Sequence, residues 1–519
     1  MKHALLSILL VLPSLHAADL KLAGIFADHA VLQRDINLPV WGWAEPGASV
    51  SVSFAGQSQT ATAGADGKWT VKLAPLKANS TGSDLVVKAG AQETKISDVL
   101  VGEVWMCSGQ SNMEWTVASS TNAQNEIKNA NNPRIRHFKI PHVTSKTPET
   151  EVKTTGGWQA TTPQTVGSFT AVGFFFGREI EKALDVPVGL IGCNWGGTRI
   201  EPWTPPAGFQ SVPALKESIT DKLATLPAMT PVVDQIPVLG ADGKPVIENG
   251  RPKMKAQPKL GPDGKPLMEA SRGSPMAMFN AMVNPLVPYG IRGALWYQGE
   301  ANNGEGMMYH EKMKALINGW RTVWQEGDFS FYWVQLAPYR YGRPEALPAL
   351  WESQTATLSL PNTGMAVTTD VATVANIHPP DKQTVGHRLA IWALAKTYNK
   401  ESGIYASPLF DSLKVEGNKA IVSFKNATNG LKSRDGKPLS WFTIAGADKK
   451  FVEAKAEIAG STVIVTAAGV DKPEAVRLGW NELAEPNLSS TDGLPSSPFR
   501  TDKWTDAVMP VVAPAAPAK

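Results

Sequence analysis

From about residue 98 to 404, short apolar runs alternate with segments whose apolar residues recur at helical spacing. That alternation restricts the fold more than any other feature of the chain. Ser168 to Leu184 carries Val172, Phe176, Ile180 and Leu184 at i+4 steps and reads as a helix. Val186 to Cys193 follows as a buried strand. Met308 to Gln325 is a second helix, with Met313, Ile317, Trp320 and Trp324 on one face. Phe331 to Leu336 and Gly364 to Thr369 read as strands, and Asp381 to Tyr398 as a helix capped by its aspartate. Strands that alternate with helices predict an α/β fold, a mostly parallel sheet covered on both faces.

The flanks follow a different period. In 19–97, Val50, Val52 and Phe54 alternate with serines, and Trp69, Val71 and Leu73 with polar residues. Asp66-Gly67 falls between two such runs as a hairpin turn, and the whole suits a small N-terminal β-sandwich. Residues 405–487 return to β character, with strands at Ala420 to Phe424, Trp441 to Ile444 and Thr462 to Thr466 and a turn at Gly417-Asn418. Residues 488–506 read as a return segment and 507–519, rich in proline and alanine, as a disordered tail. Residues 1–18 have a basic start, an apolar run too short to span a bilayer and small residues at Ala17 and Ala18. They predict a signal peptide and an exported, periplasmic or extracellular protein.

One stretch breaks the alternation. Residues 205–272 are rich in proline, glycine and lysine, and Leu239 to Pro245 is echoed by Leu260 to Pro266. Two copies do not make a solenoid, so the expectation is an inserted β-hairpin arm with two turns.

A formal charge of +3 over 519 residues gives no basic footprint for nucleic acid. No later segment is apolar enough to cross a membrane. Two cysteines exclude a disulfide scaffold, and without HExxH or CxxC no metal site is expected. Cys107 and Cys193 end strands that should be neighbours. A bond between them is one reading and two inert thiols the preferred one.

Four strand ends carry the chemistry. Val101 to Cys107 runs into Ser108-Gly-Gln-Ser-Asn112, a serine-bearing tight turn where α/β sheets place reacting groups. It is not the GxSxG elbow, since Met113 stands where the second glycine would. Gly192 to Trp203 and Trp296 to Asn303 are further glycine-bearing strand ends, whose free backbone N–H groups and amides could receive an oxyanion. Asp370 to Lys382 places His378 before two prolines. A late histidine facing an early serine is the arrangement for acyl transfer. Trp115, Trp195, Trp203 and Trp296 flank these motifs and are candidates for the rim of a sugar site. Arg199 could grip a sugar carboxylate or pair with Glu201 or Glu300.

These stretches resemble the sialate O-acetylesterase-like branch of the SGNH (GDSL-type) carbohydrate esterases. The matching motifs are Cys107-Ser-Gly-Gln-Ser-Asn-Met-Glu-Trp115, Gly196-Gly-Thr-Arg-Ile-Glu201, Trp296-Tyr-Gln-Gly-Glu-Ala-Asn302 and Ile377-His-Pro-Pro-Asp-Lys382. The resemblance implies an SGNH-hydrolase sheet with β-rich domains at both ends. It makes Ser111 the nucleophile and His378 the general base. The Ser111 N–H, Gly197 (or Gly196) and Gln298 would form the oxyanion hole, with Trp115, Arg199, Trp203 and Asn302 around the substrate and Glu201 and Glu300 as supports. The implied activity is hydrolysis of acetyl esters on sialic acid or on plant-wall polysaccharides such as xylan and xyloglucan, without a cofactor. The family commonly carries its acid two or three residues before the histidine, where this chain has Asn376 and Ala375. Asp370 is then the nearest upstream carboxylate and the expected orienter, and a Ser–His dyad is the other reading. The missing acid also motivates an alternative function, a non-catalytic glycan-binding protein on a decayed esterase scaffold.

Overall fold

The computed structural model describes residues 19–509 except 155, 220, 221, 224, 372, 373, 401 and 402. The segment read as a signal peptide lies outside the described residues. Among them, no helix is long and apolar enough to cross a membrane.

The central sheet is built from seven strands. They are β1 (Gln92–Gly109), β2 (Asn132–Lys139), β3 (Trp158–Thr161), β4 (Val188–Asn194), β5 (Gly293–Tyr297), β6 (Ser330–Val334) and β7 (Thr363–Ala366), in the order β3-β2-β4-β1-β5-β6-β7. All neighbours are parallel except β3, which runs antiparallel to β2 at the edge. The helices α1 (Ala171–Leu184), α2 (Met308–Trp324), α3 (Ala346–Ala356) and α4 (Lys382–Lys396) follow strands, as the alternation predicts, and Asp381 caps α4 by accepting from the Thr384 N–H.

Successive strand residues point to opposite faces, and β6 shows what covers each. Phe331 meets Trp320 of α2, whereas Tyr332 meets Trp392 of α4 and Trp105 of β1. Both residues are fully buried, and each such side chain contributes about 1.5–3 kcal/mol. Trp320 and Trp324 are core packing, as their helical positions predict. The helix α3 has no counterpart in the sequence reading. Its apolar residues follow no clean stripe and Pro348 lies inside it.

The N-terminal strands fall in two sheets and are not separate from the rest. Strand β1 crosses the boundary expected at 97/98 without a break and pairs with both parts, and one apolar core runs from Leu20 to Ala393. Asp66-Gly67 is not a hairpin turn. The strand before it (Gln57–Thr62) pairs with Ser49–Phe54, while the strand after it (Lys68–Leu73) pairs with Leu38–Trp43 in the other sheet. The chain changes sheets there, with Gly67 at a φ of +75°.

The C-terminal domain has its own core of two four-stranded sheets. It extends past the expected end at 487. Leu488–Ser490 pairs with Leu431–Ser433, and Phe499–Arg500 pairs with Ala475–Leu478, so the return segment completes the domain. Val508 bridges to Lys450, so the tail begins later than 507, and residues from 510 on lie outside the description.

The insertion begins with two short helices, Pro206–Ser211 and Pro213–Ile219, and then forms the expected arm of two-stranded ladders between Met229 and Ala270. Its two echoed turns are alike. Gly243 and Gly264 have φ of +74° and +75°, and Asp242 and Asp263 each accept the N–H two residues on. Val233, Leu239, Ile247, Met254, Leu260 and Leu267 of the arm are exposed.

Candidate active site

Strand register gathers the motifs. Gly109, the last residue of β1, lies opposite Asn194 of β4 on one side and Tyr297 of β5 on the other. Three of the four polar strand ends therefore meet at one edge. Gly109 turns the chain there at a φ of +137°, and a Cβ on it would lie 2.2 Å from the Tyr297 carbonyl oxygen. A one-turn helix, Ser111–Glu114, starts immediately afterwards and is capped by Gln110.

The fourth segment closes over this edge. Ser111 Oγ lies 2.7 Å from His378 Nε2 across 267 residues of sequence. Burial, and behind it the Lys382 charge, lowers the His378 pKa, which favours the neutral imidazole needed to accept a proton. The imidazole stacks on the Trp115 indole, with ring centroids 5.0 Å apart and 20° between planes.

Asp370 does not orient it. Both Asp370 carboxylate oxygens bond the Arg388 guanidinium, at 2.6 Å each, which closes a planar bidentate pair. Among the described residues no side chain bonds His378 Nδ1. Asn376 Oδ1 instead accepts the backbone N–H of His378 at 2.9 Å.

The expected oxyanion donors are only partly available. Gln298 is fully buried. Its amide donates to the Thr198 carbonyl at 3.1 Å and to Asn302 at 2.8 Å, and its oxygen accepts from Tyr309, so nothing is left for an oxyanion. The Gly196 N–H is taken by Glu114 at 2.9 Å. Gly197 has a φ of +70°, and its N–H donates to no acceptor among the described residues. The Ser111 N–H points at Gln110 Oε1, 2.5 Å away, and that oxygen also meets Ser111 Oγ. The hydroxyl has one hydrogen and cannot serve both Gln110 and His378. Gln110 Oε1 thus sits where a substrate carbonyl oxygen would contact the Ser111 N–H. The role of Gln110 was not drawn from the motif that contains it.

Three substrate candidates are engaged elsewhere. Trp203 is fully buried and bonds Thr198. Asn302 is also buried. Its oxygen accepts from the Ile200 N–H and Gln298, and its amide donates to Glu201 and Glu305, which ties two loops together. Arg199 pairs with Glu201 and Glu305 and bonds the Ala301 carbonyl, so the second of its two expected roles holds, with Glu305 as an added partner. The rim instead carries residues the sequence reading passed over. His142 stacks on Trp195 at 4.5 Å and bonds Glu114 at 2.8 Å, and the Arg272 guanidinium lies 5.8 Å above the Trp195 ring. Burial alone would raise the Glu114 carboxyl, but the His142 hydrogen bond, the Lys139 and His142 charges and the Gly196 N–H hold it at about 2.

Cys107 and Cys193 are both free and buried, and burial raises both thiols, the inert state. Among the described residues no group of three or more His, Cys, Asp or Glu side chains could hold a metal ion.

The chain is 31% identical to rat sialate O-acetylesterase over 434 residues, covering 75% of this chain and 76% of the rat protein. It is 30% identical to the human sialate O-acetylesterase over 461 residues, 80% and 79% of the two chains. Residues 101–225 and 268–395 match the family described as carbohydrate esterase, sialic acid-specific acetylesterase. This chain belongs to that family. A crystal structure of a carbohydrate acetylesterase from Xanthomonas citri is 36% identical, with a TM-score of 0.78 over 93% of this chain and 100% of that one. The family's matched span holds Ser111, Gly197, Gln298, Asp370 and His378, and its gap at 226–267 falls almost wholly on the β arm.

Proposed function

We propose that this esterase-family chain is an exported O-acetylesterase that removes acetyl groups from saccharides through a serine acyl-enzyme. The observation that carries the reading is the 2.7 Å contact between Ser111 Oγ and His378 Nε2 at the sheet edge. Ser111 Oγ attacks the acetyl carbonyl while His378 Nε2 takes its proton. The carbonyl oxygen displaces Gln110 Oε1, and its developing charge is received by the N–H groups of Ser111 and Gly197. Collapse breaks the bond to the sugar oxygen, which takes the proton from His378 as it leaves and becomes the free hydroxyl. Water then attacks the acetyl-enzyme while His378 removes its proton, and His378 returns that proton to Ser111 Oγ as the acyl bond breaks and acetic acid leaves.

The substrate is acetylated sialic acid or an acetylated wall polysaccharide such as xylan or xyloglucan. Acetate release from these three, by wild type and Ser111→Ala, tests the reading. Release by wild type from at least one, absent in Ser111→Ala, supports it and names the sugar. Equal inactivity of both proteins, with glycan binding retained, would overturn it in favour of a binding module.

A further inference from the structure

Among the described residues no carboxylate meets the His378 ring, and the structure offers other supports. We propose that Trp115 and Asn112 are the positioning residues of His378, the first by stacking on the imidazole and the second by holding the backbone before it. The inference rests on the Ser111–His378 reading above.

The Trp115 indole lies nearly parallel to the imidazole, 5.0 Å away, and limits its tilt. Trp115 is itself pinned. Its N–H donates to the Ser111 carbonyl at 2.8 Å and its indole N–H to the Ser119 carbonyl at 2.8 Å. Asn112 Nδ2 donates to the Ile377 carbonyl at 3.0 Å, the peptide that carries His378. The same nitrogen donates to Glu300 Oε1 at 2.7 Å, and Asn112 Oδ1 accepts from Lys382 Nζ at 2.5 Å.

These partners leave the amide one orientation. An ammonium can bond only its oxygen, and a carbonyl only its nitrogen. Lys382 lies four residues beyond His378, so the histidine segment is held on both sides by one asparagine. Ser111, Asn112 and Trp115 sit together on the short helix and its cap. Nucleophile and supports are thus built on one turn, which ties the position of the histidine to that of the serine it faces. A displacement of about 1 Å at such a site can cost about 100-fold in rate.

The experiment measures kcat and KM for p-nitrophenyl acetate in wild type, Ser111→Ala, Trp115→Leu, Trp115→Phe and Asn112→Leu, with melting temperatures recorded. Trp115→Leu and Asn112→Leu should lower kcat about 10- to 100-fold and leave KM within about twofold. Trp115→Phe keeps a ring to stack on and should restore kcat to within about threefold of wild type. A purely structural role would lower the melting temperature without this split or this rescue. Should Asn112→Leu fail to fold, the half-buried Trp115 decides alone. Wild-type kcat in Trp115→Leu, with Ser111→Ala inactive, overturns the positioning role and leaves the acyl-transfer reading intact. Activity in Ser111→Ala removes that reading itself.

Discussion

Asp370 gives both carboxylate oxygens to the guanidinium of Arg388, which also donates to the Val367 carbonyl at 2.7 Å. The pair joins the loop after β7 to the middle of α4 and is nearly buried, with side chains 10% and 7% exposed. It ties the loop that leads to His378 to the helix that follows it.

Asp370→Asn should therefore destabilise the fold by up to about 3–5 kcal/mol, because it leaves a buried guanidinium without its counter-charge. Urea unfolding measures this. In the surviving folded fraction kcat should stay near wild type. A loss of about 10⁴ in kcat at unchanged stability would instead assign Asp370 to the imidazole, as in a full triad.

The pH dependence follows from His378. Only the neutral imidazole accepts the Ser111 proton, so kcat/KM falls as pH drops through the histidine pKa. Burial and the Lys382 charge lower that pKa, which sets the midpoint of the acid limb below 6.5. Burial pushes the Lys382 ammonium down to about 7, so it is still charged across that limb. Lys382→Met removes the smaller of the two causes and should move the midpoint up toward 6.5. A midpoint that stays in place would show that the Lys382 charge does not reach the ring.

What was legible follows from where the information is stored. The parallel sheet was readable because β4, β5, β6 and α1, α2, α4 each carry their own period. That Ser111 and His378 could meet was readable because strand ends in such a sheet share an edge. Gln298 was placed in the oxyanion hole for its donor chemistry and Asn302 beside the substrate for its amide, and only the fold shows those donors turned toward Thr198, Glu201 and Glu305. Asp370 was expected to orient the imidazole because it is the nearest upstream carboxylate, and only the fold shows that Arg388, 18 residues away, takes both of its oxygens. The 97/98 boundary failed because a change in hydrophobic pattern does not end a strand. Gln92–Gly109 alternates at one end and is buried on both faces at the other.

Gly109 marks the tightest point of the site. Gly109→Ala would place a methyl 2.2 Å from the Tyr297 carbonyl oxygen, in a backbone conformation that side chains rarely adopt. Overpacking and backbone strain each cost about 1–3 kcal/mol, and neither the central strand nor β5 can yield cheaply. The variant should be largely insoluble or melt far below wild type. Near-native melting would mean that β1 and β5 separate more easily than their parallel register suggests.

The β arm gives the last prediction. Met229 and Ala270 are paired at its base, so residues 230–269 can be replaced by a two-residue Asn-Gly turn without pulling the ends apart. The exposed Val233, Leu239, Ile247, Met254, Leu260 and Leu267 lie on the excised part, so their loss removes little buried surface. The melting temperature should change by no more than the few degrees that surface changes of about 0.5 kcal/mol produce. Hydrolysis of p-nitrophenyl acetate should stay within about twofold, because Ser111, His378 and Gly197 are untouched and the barrier for a small ester does not involve remote contacts. A polymer is different. Arg272, two residues beyond the arm, lies over Trp195 at the rim, so the arm projects from the edge where a long chain would enter. Its removal should raise KM for acetylated polysaccharide while KM for an acetylated monosaccharide stays constant. If both KM values are unchanged, the arm does not touch substrate.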